Sequence, residues 1–169
     1  MERLEKAVSS FAWPLWIVLI VAQTVMSFFV YDQDGNQVLR VFAWITWVVM
    51  CMFGLLPMVT LRKLGDVPEG KSYTHTTRVV DRGLYAIVRH PQYLSFMLLS
   101  LFFMLLIQHC LCTMMGILAI LLVYFGILPK ADQLNVEKFG KEYDCYRHRV
   151  PRVNFVAGIV YLLQRRDEV

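Results

Sequence analysis

Three stretches of this sequence contain no Asp, Glu, Lys or Arg: residues 7–31, 41–61 and 90–129, which are 25, 21 and 40 residues long. They hold about half of the 169 residues. A helix needs about 20 mostly apolar residues to cross the hydrocarbon of a bilayer. Each stretch is long enough, and buried soluble helices are rarely apolar all round over such lengths. The chain is therefore expected to be an all-α, polytopic membrane protein. The hydrophobic share is 57% and the charged share 18%, which excludes a disordered chain, a coiled coil and a dense cationic nucleic-acid binder.

The first stretch predicts a span near 11–31. It is too long for a signal-peptide core and lacks an Ala-x-Ala exit, so it reads as retained. The second predicts a span near 38–61, after the turn-rich linker Tyr31-Asp32-Gln33-Asp34-Gly35-Asn36. The third would make a single helix of roughly 60 Å at 1.5 Å per residue, about twice the hydrocarbon thickness. It is read as a hairpin that breaks at Gln108-His109-Cys110. Its arms are expected near 93–107 and 111–128, the second ended by Pro129. The whole, residues 1–169, is expected to be one integral membrane domain with about four transmembrane helices. Residues 62–92 and 130–169 are the expected cytoplasmic segments.

Orientation follows from Lys and Arg, which favour the cytoplasmic side. Lys63, Lys71, Arg78, Arg82 and Arg89 lie between the second and third spans. Lys130, Lys138, Lys141, Arg147, Arg149, Arg152, Arg165 and Arg166 lie in the tail, and the two short turns have none. Both termini are thus expected on the cytoplasmic face. The net charge of +4 points to anionic lipid rather than nucleic acid. His109, Cys110 and Cys112 match no zinc spacing and lack a fourth ligand, so no metal is expected.

The spans carry no Asp, Glu, Lys or Arg beyond Arg40 at the edge of the second, and no His beyond the borderline His109, which argues against a polar conduction path. Chemistry-bearing residues collect in two interfacial segments. Residues 79–93 run Val-Val-Asp-Arg-Gly-Leu-Tyr-Ala-Ile-Val-Arg-His-Pro-Gln-Tyr into the third span. Pro91 suits the first turn of a helix, whose free N–H groups suit an anionic or carbonyl group. Arg89 is able to pair with a carboxylate or phosphate, and Tyr85 and Tyr93 to stack. The same residues also serve as a plain interfacial anchor, with Arg snorkelling and Tyr in the aromatic belt. In residues 129–152, Leu134, Phe139, Tyr143 and Tyr146 fall at loose helical spacings with Gly140 as a stop. That pattern predicts an amphipathic C-terminal helical lid on the membrane surface, or merely a solvated charged face over such a helix.

Taken together, Gly83-x-Tyr85-x-x-x-Arg89-His90-Pro91-x-Tyr93 and Leu134…Phe139-Gly140-Lys141-Glu142-Tyr143, on either side of an apolar hairpin, resemble a known superfamily. It is that of the integral membrane methyltransferases related to isoprenylcysteine carboxyl methyltransferase and phospholipid N-methyltransferase. The resemblance covers residues 83–152, and the first two spans match only in hydropathy. It implies S-adenosylmethionine as cofactor, with Tyr85, Arg89, His90, Pro91, Tyr93, Glu142 and Tyr143 as cofactor-binding residues. It further implies Asp132 and Arg89 as catalytic residues, and methyl transfer to a lipophilic small-molecule or lipidated acceptor, an isoprenylcysteine-like carboxylate being favoured. The superfamily's acidic pair falls on Ala131-Asp132, and the arginine before that pair falls near Ile127. Two rivals stand beside this expectation. Membrane sterol reductases, which use NADPH, share a similar Arg-His-Pro-x-Tyr run, and a non-catalytic membrane scaffold accounts for the hydropathy alone.

Overall fold

The computed structural model describes residues 2–31 and 35–166. Asp32, Gln33 and Asp34 of the expected linker lie outside the described residues, as do the side chains of Arg165 and Arg166. Among the described residues seven α-helices follow one another: α1 (Glu2–Phe29), α2 (Gln37–Leu64), α3 (Pro91–Ile107), α4 (Cys110–Leu121), α5 (Leu128–Phe139), α6 (Lys141–Arg149) and α7 (Phe155–Arg166). A short 3-10 turn, Gly83–Ala86, precedes α3, and no strand occurs among the described residues. Among the described residues three helical segments are long and apolar enough to cross a membrane: Phe11–Phe29, Gln37–Leu64 and Cys110–Phe139. Pro91–Ile107 and Phe155–Gln164 are shorter apolar helices. The protein is an all-α polytopic membrane protein.

One expectation is corrected. Pro129 does not end the helix that begins at Cys110, because the chain stays helical to Phe139. A proline inside a helix removes one hydrogen bond and crowds the carbonyl four residues back. Here a π-helical turn, Leu122–Ile127, lies immediately before it. That wider turn alters the carbonyl register at the point where the pyrrolidine ring would clash. The break in the long apolar stretch does fall at the polar cluster, where Gln108 adopts φ 55°.

The described residues form two compact units. One draws on Met1–Cys51 and Ser95–Ala131. Its packing is aromatic: Trp13 and Trp16 meet edge to face with ring centroids 5.9 Å apart, and Trp16 stacks on Phe96 at 4.9 Å. Gln23 is fully buried and donates through Nε2 to the Cys112 carbonyl at 3.1 Å, which ties α1 to α4. Gly116 permits this approach, since a Cβ there would stand 2.8 Å from Gln23 Nε2. At one end, the Gln108 amide closes a pair of hydrogen bonds with the Asn36 backbone, 2.8 and 2.9 Å long. The Asn36 side chain in turn caps α2 through the Val38 N–H at 2.9 Å. Phe11, Phe28, Phe29, Met114 and Phe125 stand exposed. Such a surface is unfavourable in water and suits contact with lipid.

The other unit draws on Met52–Leu94 and Asp132–Val169. Tyr143, Tyr146 and Val150 form one buried cluster in it, with Val79, Val136 and Phe139 packed against them. Gly140, at φ 59°, makes the left-handed corner between α5 and α6. Asn154 caps α7 through its Oδ1 and the Ala157 N–H at 3.0 Å. The backbone N–H groups of Arg89 and His90 donate to the carbonyls of Pro151 and Arg152 at 3.0 and 3.1 Å. This two-bond ladder stitches the entry to α3 onto the chain beyond α6.

Candidate functional site

The site lies wholly within the second unit. Arg89 and His90 are extended by the ladder to residues 151–152, and Pro91, itself fully buried, opens α3. Asp132 arrives from α5, Tyr143 from α6 and Arg152 from the segment after it. Asp132 is the hub. Its Oδ1 accepts from Tyr143 Oη at 2.7 Å, lies 2.7 Å from His90 Nε2, and accepts from Arg89 Nη1 at 3.2 Å. Its Oδ2 accepts from Arg152 Nε at 2.9 Å. A carboxylate oxygen at that distance requires the hydrogen on His90 Nε2. Tyr143 Oη and His90 Nε2, 3.3 Å apart, then both point hydrogens at Oδ1. Two guanidiniums facing one carboxylate leave the cluster with a residual positive charge.

Burial sets the protonation states. It pushes the His90 imidazole down from its ordinary range, and Arg89 and Arg152 push the same way, against the opposing pull of Asp132. His90 is therefore neutral at pH 7. Burial also raises the phenols of Tyr85, Tyr143 and Tyr146, which remain protonated donors. Tyr146 uses its hydroxyl to hold the Tyr85 carbonyl at 2.6 Å.

A pH effect on stability follows. The free imidazole gains a proton below about pH 6.5, whereas the buried one resists. The unfolded chain then binds more protons than the folded one, so stability falls as pH drops below that value. Thermal unfolding of the detergent-solubilised protein should give a lower midpoint at pH 5.5 than at pH 7.5, and His90→Gln should flatten the difference. Equal midpoints in the wild type would contradict a neutral buried His90.

A cavity of about 230 Å³ adjoins the cluster. Arg89, His90, Pro91, Tyr93, Tyr85 and Tyr143 all line it. Phe139 and Tyr146 add aromatic wall, and Arg78 and Lys138 add cations. Gln92 donates to Tyr73 Oη at 3.2 Å beside it. Asp132 stands behind the lining rather than in it, and Glu142 is exposed on α6 and does not line the cavity. Of the residues singled out by sequence, the structure thus gathers all but Glu142 around one place.

Three participants were not singled out: Arg152, Arg78 and Lys138. No local signal marked Arg152, which lies 20 residues from Asp132 along the chain and pairs with it at 2.9 Å. No group of three or more His, Cys, Asp or Glu able to hold a metal occurs among the described residues.

Comparison with known proteins gives several matches. The family model described as a protein of unknown function, DUF1295, matches residues 1–150. The chain is 29% identical over 114 residues to protein-S-isoprenylcysteine O-methyltransferase B of Arabidopsis thaliana, covering 59% of this chain and 56% of that protein. It is 28% identical over 99 residues to protein-S-isoprenylcysteine O-methyltransferase of Schizosaccharomyces pombe, covering 54% and 42%. With a probable protein-S-isoprenylcysteine O-methyltransferase of Oryza sativa subsp. japonica it shares 26% over 98 residues, covering 53% and 51%. The chain spans about half the length of these curated relatives. No solved structure matches it significantly.

Proposed function

The chain belongs to the DUF1295 family, within the isoprenylcysteine methyltransferase-like superfamily, and from that premise we propose that it is a membrane methyltransferase. It uses S-adenosylmethionine to methylate a lipophilic acceptor at the membrane–cytoplasm interface. The observation that carries this is the convergence of Arg89, His90, Pro91, Tyr93 and Tyr143 on one cavity with aromatic walls and cationic edges. The asymmetry of Lys and Arg supports a cytoplasmic site and cytoplasmic termini. The printed names of the relatives support an isoprenylcysteine-like carboxylate as acceptor.

The lining fits the methyl donor by its chemistry. Tyr85, Tyr93 and Phe139 offer π faces to a purine and to a sulfonium. Arg78 and Lys138 offer charge to the amino-acid carboxylate, and Thr74 and Thr76 offer hydroxyls. When bound, the donor supplies an electrophilic methyl group on sulfur. The chain's residues supply binding, alignment and exclusion of water, which suffice for an acceptor that is already a carboxylate. No residue has to remove a proton in that case. Asp132 is then a positioning residue: it orients His90 and Tyr143 and does not touch the cavity. Arg89 borders the cavity as a fixed cation.

The donor site is tested by thermal unfolding of the detergent-solubilised protein with S-adenosylhomocysteine or NADPH. S-adenosylhomocysteine should raise the midpoint in a concentration-dependent way and NADPH should not. His90→Ala should weaken the protection. Protection by NADPH alone would replace the methyltransferase with a reductase, and protection by neither would sink both.

A further inference from the structure

A second cavity of the same unit, about 520 Å³, lies near the end of α6 and α7. Its polar lining is made by Arg89, Arg147, His148, Arg149, Tyr161 and Gln164, with no acidic residue among the lining. Arg147 is paired with the exposed Asp144 at 2.6 Å. Arg149 has no acidic partner among the described residues, and its Nε donates to the Cys145 carbonyl at 3.3 Å. Arg89 gives one nitrogen to Asp132, while its buried Nε has no partner. Of the three lining arginines, Arg89 and Arg147 each meet one carboxylate and Arg149 meets none, so the cavity keeps a net positive charge. On α7, Phe155, Val156, Ile159, Val160 and Leu163 stand exposed and apolar, beside Tyr161, which lines the cavity.

A site that joins a cationic pocket to an apolar helix surface is complementary to an anion carrying hydrocarbon. We propose that this cavity holds the phosphate of an anionic phospholipid, with the acyl chains along the exposed face of α7. The volume lies within the range of built ligand pockets, roughly 300–1,000 Å³, and guanidiniums match phosphate geometry. Because Pro151 and Arg89 border the cavity and belong to the ladder that sets His90, a bound headgroup braces that ladder. The site is independent of whether the other cavity binds a methyl donor.

The experiment uses the full chain in neutral detergent micelles doped with phosphatidylglycerol or phosphatidylcholine, read by thermal unfolding. Phosphatidylglycerol should raise the midpoint progressively with its mole fraction, and phosphatidylcholine should not. The double variant R147Q/R149Q should lose this rise. A charge-matched control, K71Q/K141Q, should keep it, which separates a built site from general attraction to a basic surface. Circular dichroism and a monodisperse elution establish that each variant is folded. A single-site variant, Gln164→Ala, serves if the double variant fails to fold, and should weaken the response. An equal rise in R147Q/R149Q, an equal loss in K71Q/K141Q, or an equal rise with inorganic phosphate alone would overturn the proposal.

Discussion

Asp132→Asn is expected to destabilise the protein by about 3 kcal/mol, as when one partner of a buried ion pair is removed. The substitution is isosteric, so packing is preserved and only the charge is lost. Arg89, at 10% side-chain exposure, then stands buried against a neutral amide. Arg152, at 34%, is partly solvated and suffers less. Tyr143 and His90 compete for one weaker acceptor in place of a carboxylate oxygen they now share. Denaturant or thermal unfolding in detergent measures the loss. The affinity for S-adenosylhomocysteine should fall in the same variant, because His90 and Tyr143 line the cavity proposed for the methyl donor. An unchanged unfolding midpoint would show that the four donors do not depend on the carboxylate.

Gly158→Ala is the second large effect. A Cβ at this position would stand 1.9 Å from the Ile87 carbonyl oxygen and 2.8 Å from its carbon. Both are backbone atoms, so no side-chain rotation relieves the contact. Either α7 moves outward or the segment Ile87–Val88 moves, and that segment leads directly into Arg89 and His90. Overpacking of this kind costs typically about 1–3 kcal/mol, and backbone against backbone belongs at the upper end. The variant should unfold at a lower temperature and also bind the donor analogue more weakly. Wild-type values for both would mean that α7 does not pack on residue 87 in solution.

The membrane architecture was legible because the bilayer imposes a length on the sequence. Charge-free stretches of 25 and 21 residues admit few other folds. The polar Gln108 marked the hairpin, and it adopts the left-handed φ of the turn. Pro129 misled, since hydropathy carries no trace of the π-helical turn at Leu122–Ile127 that accommodates it. Helix α7 is not legible in sequence because its apolar stretch is about half a span long and lies inside a charged tail.

At the site, the Arg89–Tyr93 run was legible as a motif, and Asp132 as the survivor of an acidic pair. Glu142 and Tyr143 looked equivalent in sequence. Successive helical residues are separated by about 100°, and α6 turns Tyr143 into the core and Glu142 to the outside. Arg152 was hidden by sequence distance. It reaches Asp132 only because residues 151–152 pair with residues 89–90 through the backbone, a pairing that no local propensity announces.

Methyl transfer from S-adenosylmethionine to a lipophilic carboxylate is open to a single labelling assay. It is tested most directly by supplying the purified protein, in lipid nanodiscs, with methyl-labelled S-adenosylmethionine and a prenylated cysteine bearing a free carboxylate. Label is expected in the organic phase that base releases as volatile methanol, the mark of a methyl ester, and His90→Ala should lose that signal. Absence of transferred label from a preparation that folds and spans the membrane, with this acceptor and with a panel of lipid amines, thiols and carboxylates, would contradict it.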